Sequence, residues 1–419
     1  MIIEHDKKNT RIALVALAIL FMCMGMLTSL NDLLVPIMKH IFSLNYKQSL
    51  TIQVVWFTSF TIVGYPFGAI TRKYSHKFGM VSGYALATIG CLLFCYAWWL
   101  NTYWSFLVAI FVLSCGVCFL QVVSNPYAIH LGEPRNASKR LVILHSFFAI
   151  GTTIAPIFAS LLMSSDLTKY ATNILESTIK SEMQYESIKI MLVYLLFLLI
   201  SALLFIVTIL LPLPNILKNK QSCNQEQTDN IKSVWNYPHT ILGAISAFFC
   251  VGCETLAVSF IIIFAKKSNI NLNESNYPIL VSLFWAGILV GRLFGPLIFR
   301  IWKPNNILLF CTLVCSILFL CPLFVNGLLA VGAIVLIGLF NSVMYPIIYS
   351  AAMKSLPPST AIQASSIVSI AIIGGAIMPL LGALVADAKS LEYSFIIGAA
   401  GFLFIAIFPI YNKVKSLDA

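Results

Sequence analysis

Residues 190–211 read Ile190-Met-Leu-Val-Tyr-Leu-Leu-Phe-Leu-Leu-Ile200-Ser-Ala-Leu-Leu-Phe-Ile-Val-Thr-Ile-Leu-Leu211, with no charge anywhere in the run. Roughly 20 apolar residues are enough to cross the hydrocarbon core of a bilayer as a helix. In lipid the backbone must satisfy its own hydrogen bonds, so a spanning segment is a helix or a strand of a closed barrel. This run is too evenly apolar for the alternation of a barrel strand. It is read as a membrane helix, span six, over 188–211.

Working outward, the same signal recurs. Before it lie 12–36, 50–71, 78–100, 103–130 and 141–163. After it lie 239–265, 277–299, 305–325, 328–353, 360–386 and 391–411. Together they predict an all-α membrane protein with twelve transmembrane helices. Composition agrees: of 419 residues, 59% are hydrophobic and 10% charged, with a mean hydropathy of +0.92. Soluble chains carry about 25% charged residues. A secreted soluble enzyme, a disordered chain and a coiled coil are excluded. Lys7, Lys8 and Arg11 precede the first run as they would a signal peptide. That run is too long and contains Asp32, so it is a true first span.

The net charge of +11 would suggest nucleic acid in a soluble chain. Here it sorts by side. With the N-terminus in the cytoplasm, 18 of the 26 basic residues fall inside. The other eight, Lys39, Lys47, Lys169, Lys180, Lys189, Lys266, Lys267 and Lys389, fall outside. The bias places both termini in the cytoplasm and leaves no role for nucleic acid. Of eleven cysteines, ten lie within spans, and no outside loop has one. Cys115-Gly-Val-Cys118 and Cys250-Val-Gly-Cys253 have metal spacing, but inside apolar helices they read as small packing residues.

The polar stretch 212–238, which includes Lys218, Lys220, Glu226 and Asp229, separates six spans from six. It predicts an N-terminal half over 1–211, a cytoplasmic linker over 212–238 and a C-terminal half over 239–419. The halves echo each other. Gly151-Thr-Thr-Ile-Ala-Pro156 matches Gly374-Gly-Ala-Ile-Met-Pro379, and Gly64-Tyr-Pro-Phe-Gly68 matches Gly291-Arg-Leu-Phe-Gly295. The offsets, 223 and 227, are nearly equal. Pro66, Pro126, Pro156, Pro346 and Pro379, with nearby glycines, are candidate bending points or sites of close static packing.

Ionisable residues inside a membrane default to function. Only Asp32 and Glu254 are acids well within spans. Asp32 can load a proton on one side and release it on the other, and its charged and neutral forms hold a polar ligand differently. A structural carboxylate is the alternative, and it is the stronger one for Glu254, for which Arg292 is a candidate partner. Gln53, Gln121, Asn125, Asn341, Gln363 and Ser365 are neutral polar groups that suit sugar hydroxyls, because carboxamides both donate and accept. Each would serve equally as an interhelical hydrogen bond. Trp56, Trp285 and Tyr345 could stack on a sugar ring or simply pack. His145 is either a titrating group or an interior histidine held by hydrogen bonds. No acidic diphosphate-binding cluster and no HExxH is present, so the chain is not read as an enzyme.

Taken together, these residues resemble a family. Leu30-Asn31-Asp32-Leu33-Leu34-Val35-Pro36, Leu120-Gln121-Val-Val-Ser-Asn125-Pro126-Tyr127, Val251-Gly252-Cys253-Glu254 and Gly338-Leu-Phe-Asn341-Ser342-Val-Met-Tyr345-Pro346 are similar to the fucose–galactose–glucose symporters of the major facilitator superfamily. The bacterial glucose/galactose branch is nearest, and L-fucose permease is more distant. The resemblance implies two pseudo-symmetric six-helix halves with a site near the midplane. It also implies proton-coupled hexose uptake by a monomer in the bacterial inner membrane, without a cofactor, with sodium the alternative ion. Asp32 and Glu254 would carry the coupling proton. Asn31, Asp32, Gln53, Gln121, Asn125, His145, Trp285, Asn341 and Gln363 would bind the sugar. Span five departs from the family pattern: where two asparagines and a glutamine are usual, this chain has Val142, Phe148 and His145. A transporter of another carbohydrate, a nucleoside or an exported compound stays open on that account.

Overall fold

The computed structural model describes residues 2–44, 46–131, 136–163, 182–211, 234–268 and 277–415, with residues 133, 213 and 270. Some side chains within the helices, that of Asp32 among them, lie outside this description. Among the described residues, regular structure is entirely helical. The first six helices are α1 (Ile2–Ile41), α2 (Tyr46–Lys73), α3 (His76–Leu100), α4 (Tyr103–His130), α5 (Ala137–Met163) and α6 (Glu182–Leu210). They are followed by α7 (Pro238–Lys267), α8 (Pro278–Ile298), α9 (Pro304–Leu320), α10 (Leu328–Asn341), α11 (Met344–Ala352), α12 (Pro358–Ala371), α13 (Gly374–Ala388) and α14 (Leu391–Val414). Among the described residues, eleven stretches are long and apolar enough to cross a membrane. The twelfth position, span five, is filled by the 27-residue helix α5.

Local chemistry explains the ends. Pro238, Pro278 and Pro304 each open a helix, where the missing amide hydrogen costs nothing. Ser75 caps α3, its hydroxyl accepting from the Phe78 amide at 3.0 Å. Asn101 closes α3 in the left-handed region at φ 52°.

Spans ten and eleven are each made of two helices. Span ten breaks at Ser342-Val343 between α10 and α11, and span eleven at Ile372-Ile373 between α12 and α13. The breaks lie just before Pro346 and the Gly374-Gly375 pair, two of the bending points expected from sequence.

Packing divides the chain into two compact units, Met1–Ser124 with Ile150–Asn219, and Asn125–Ala149 with Lys220–Ala419. The end of α4 and the start of α5 thus pack in the second unit, although they precede the linker in sequence. Of 212–238, only Leu213 and 234–238 are described, with a single 3-10 turn at Val234–Asn236.

In the first unit α3 lies along α6, with Phe94 stacked on Tyr194 at 3.6 Å between ring centroids and Thr88 Oγ1 donating to Ser201 Oγ at 3.1 Å. Phe67 of α2 stacks on Phe119 of α4 at 4.1 Å. Leu199, Leu203, Ile206 and Leu210 of α6 are exposed. Their three- and four-residue spacing makes one apolar stripe, as a lipid-facing helix requires.

In the second unit α7 is surrounded by α8 and α10–α14. Helices in lipid associate through close packing and hydrogen bonds, because the tails are as apolar as leucine. The α8–α10 contact shows this: a Cβ on Gly291 would collide with the Leu339 carbonyl, and one on Gly338 with the Phe284 carbonyl. Glycine at both positions lets the two backbones meet.

Candidate functional site

The polar residues inside the spans gather in one small group in the first unit and one larger group in the second. In the first, Asn31 of α1 donates from Nδ2 to Gln53 Oε1 of α2 at 3.1 Å. Asn31 is 3% exposed, and its Oδ1 is buried with no hydrogen-bond partner among the described residues. Asp32 follows Asn31 directly in α1, so the acid and the carboxamide share one turn; the Asp32 side chain lies outside the described residues. Trp56, one turn beyond Gln53, is buried, and its carbonyl accepts from Ser114 Oγ of α4 at 2.8 Å.

The larger group joins four spans. Glu254 of α7 accepts from Asn341 Nδ2 of α10 at 2.5 Å. Cys250, one turn earlier, donates its thiol hydrogen to Asn341 Oδ1 at 3.4 Å. Asn341 is therefore clamped at both ends of its amide, which fixes its orientation. Arg292 of α8, 6% exposed, interacts electrostatically with Glu254. The guanidinium also donates from Nε to the Ser342 carbonyl at 3.0 Å and from Nη1 to the His145 carbonyl at 3.4 Å. Its face lies 5.9 Å from the Phe148 ring centroid. His145 is buried and meets Tyr345 edge-on at 5.7 Å. Such a site holds a guanidinium away from water with two carbonyls and an aromatic face, in the field of one carboxylate.

The remaining expected site residues are dispersed. Gln121 is half-buried and belongs to the first unit, whereas Asn125, one turn on, is buried in the second with its Oδ1 unpartnered among the described residues. Gln363 of α12 is half-buried and its neighbour Ser365 fully buried. Trp285 meets Phe284 at right angles, 6.0 Å apart, a packing geometry.

Just outside span five, Arg140 donates to the carbonyls of Ala128, Ile129 and Glu133, capping the end of α4. Burial pulls this guanidinium below its ordinary pKa, and the Glu133 carboxylate opposes the shift.

The model of the Major Facilitator Superfamily matches residues 17–372. The chain belongs to the Major Facilitator Superfamily. It is accordingly a multi-pass membrane transporter and not an enzyme. As a superfamily member it is similar across its length to the glucose/galactose transporter of Brucella abortus biovar 1 (strain 9-941), with 36% identity covering 97% of this chain and 96% of that protein. It is 25% identical to the L-fucose-proton symporter of Escherichia coli (strain K12), covering 98% of this chain and 96% of that protein. Among solved structures, the transporter FucP in the outward conformation superposes with a TM-score of 0.80 at 25% identity, covering 96% of this chain and 99% of that one. The twelve-span major facilitator architecture expected from sequence is therefore the fold of this protein.

Ser146 and Pro296 were not singled out in the sequence. Ser146 of α5 donates to the Arg292 carbonyl at 3.0 Å. The signal was available, since Pro296 stands four residues after Arg292 and must leave that carbonyl without its helical partner.

Proposed function

We propose that the protein takes up a hexose of the glucose/galactose type, driven by a proton, by alternating access. The observation that carries the reading is the part-buried Asn31–Gln53 pair beside Asp32. One acceptor of Asn31 has no hydrogen-bond partner among the described residues, and a sugar hydroxyl is a matching donor. The relatives support it: one is named a glucose/galactose transporter and another an L-fucose-proton symporter. In this reading Asp32 takes the proton, Glu254 is the second acid, and Asn31, Gln53, Gln121, Asn125, His145, Trp285, Asn341 and Gln363 contribute to sugar binding. The two halves, 1–211 and 239–419, rock about the linker 212–238. The chain sits as a monomer in the bacterial inner membrane with both termini in the cytoplasm.

The test is uptake of labelled glucose, galactose and fucose into proteoliposomes, with proton and sodium gradients imposed separately. Hexose accumulation under a pH gradient alone is expected. Accumulation under sodium alone would move the coupling to that ion. No hexose movement in gradient or exchange mode would overturn the reading.

A second reading rests on span five. Phe148 stands where the resembled family carries asparagine, and its ring packs on Arg292 instead of offering a carboxamide. A transporter of a different small solute fits that change. Thermal stabilisation by a nucleoside or amphiphile and by no sugar would favour it.

A further inference from the structure

Two prolines in the second unit free one backbone carbonyl each, and another span fills each one. Pro296 has no amide hydrogen, so the helical bond to the Arg292 carbonyl cannot form. Ser146 Oγ of α5 donates to that carbonyl at 3.0 Å. Pro346 likewise leaves the Ser342 carbonyl open, and Arg292 Nε donates to it at 3.0 Å. The guanidinium returns to α5 through the His145 carbonyl at 3.4 Å. Ser146, Arg292 and Ser342 are all buried. Spans five, eight and ten are therefore tied by side-chain bonds, two of which go to carbonyls that a proline leaves open.

We infer that Ser146 and Arg292 are positioning residues of a releasable latch, which holds residues 137–149 of α5 against α8 and span ten and lets go once in each transport cycle. The inference rests on the reading of the chain as an alternating-access transporter. A helix's own amide cannot leave its carbonyl without unwinding the helix, whereas a side chain from another span can. Ser146 is suited to leave. Its hydroxyl also reaches the carbonyl of Val142 in its own helix at 2.9 Å, so the donor stays satisfied when the Arg292 carbonyl is released. Arg292 brings the latch within the field of Glu254, the candidate second acid. Each bond is weak enough to be broken and remade in turnover.

The latch has a reporter built beside it. Ser138 of α5 and Ser350 of α11 share a hydrogen bond of 2.8 Å, and Ser138 is buried. A cysteine at Ser138 reacts with a membrane-impermeant maleimide only when α5 moves away, and mass spectrometry of the peptide around residue 138 separates it from the native thiols. In the Ser138→Cys background, Ser146→Ala is expected to raise the labelling rate about five-fold, the equivalent of one hydrogen bond. Pro296→Ala should raise it by a similar factor, because alanine's amide takes the Arg292 carbonyl and leaves Ser146 nothing to hold.

The double variant Ser146→Ala/Pro296→Ala should label no faster than either single one. Its melting temperature should nonetheless recover from the drop caused by Ser146→Ala, since the orphaned carbonyl regains a partner. A purely structural serine would move labelling and melting together. Independent, multiplicative effects of the two substitutions, or unchanged labelling in both, would overturn the latch. If Ser146→Ala does not accumulate, Pro296→Ala and the double variant decide alone, as both keep every carbonyl paired. The assay needs no substrate, so it stands or falls apart from the hexose reading.

Discussion

The two units solve the problem of polar atoms in lipid in opposite ways. The first unit holds a neutral pair, Asn31 with Gln53, and among the described residues leaves one acceptor of Asn31 over. The second buries charge and commits it. Arg292 spends its donors on two carbonyls and faces Glu254, while Asn341 is held from both sides. A carboxamide with a spare acceptor can exchange partners cheaply, which suits a ligand. A buried guanidinium cannot lose all its partners at once without a large desolvation cost; Arg292 can release the His145 carbonyl of α5 only because it keeps the Ser342 carbonyl and the field of Glu254. On the proposed reading, the difference puts the exchangeable ligand acceptor in spans one and two, and the latch in spans five, eight and ten.

The sharpest way to break this comparison is Asp32→Asn. It should abolish sugar accumulation driven by a pH gradient while leaving sugar exchange across the membrane at equal pH, measured as counterflow in proteoliposomes. Retained accumulation would move the proton to the second unit. Glu254→Ala comes next. It removes the acceptor for Asn341 and the charge facing Arg292, and should lower stability by about 2 kcal/mol, read as a fall in melting temperature in detergent. Glu254→Gln, which keeps an acceptor but not the charge, should recover the part that belongs to Asn341 alone. Equal losses in the two variants would show that charge dominates. Asn31→Ala should act differently from both. With the spare acceptor gone, KM should rise about five-fold for roughly 1 kcal/mol of hydrogen bonding, with the turnover rate little changed. A loss confined to turnover would make Asn31 a framework residue.

The spans were legible because their signal is cumulative. Runs such as 103–130 and 391–411 became α4 over Tyr103–His130 and α14 over Leu391–Val414, each end within a few residues. Apolar length is a local property, and lipid enforces it segment by segment. The electrostatic pairing of Glu254 with Arg292 could be guessed for a similar reason, since a buried acid needs a nearby cation and few were on offer. The partners of Arg292 on the other side could not be read so easily. A carbonyl freed by Pro296 is local and predictable, but which span fills it depends on helices far apart in sequence. The end of α4 and the start of α5 show the same limit. The linker expected at 212–238 would divide the chain by connectivity, and nothing in the sequence marks that residues 125–149 pack with the second unit. The carboxamides were the least legible, because Gln121, Gln363 and Asn341 look alike as residue types and differ only in what surrounds them.

The smallest effect is expected at an ion pair at a helix end, between Lys267 and Glu392. Lys267 Nζ, at the end of α7, meets Glu392 at the start of α14 at 2.8 Å, on the side that the basic-residue distribution places outside. By distance alone it matches any contact inside the second unit. The lysine is 48% exposed, however, and water already solvates both groups. Exposed pairs contribute about 0–1 kcal/mol, so Lys267→Gln should shift the melting temperature hardly at all, and less still at high salt. A salt-sensitive loss as large as that of Glu254→Ala would mean that α7 and α14 are clamped at the outer surface. The second unit would then owe its rigidity to its rim instead of to the buried Arg292 network.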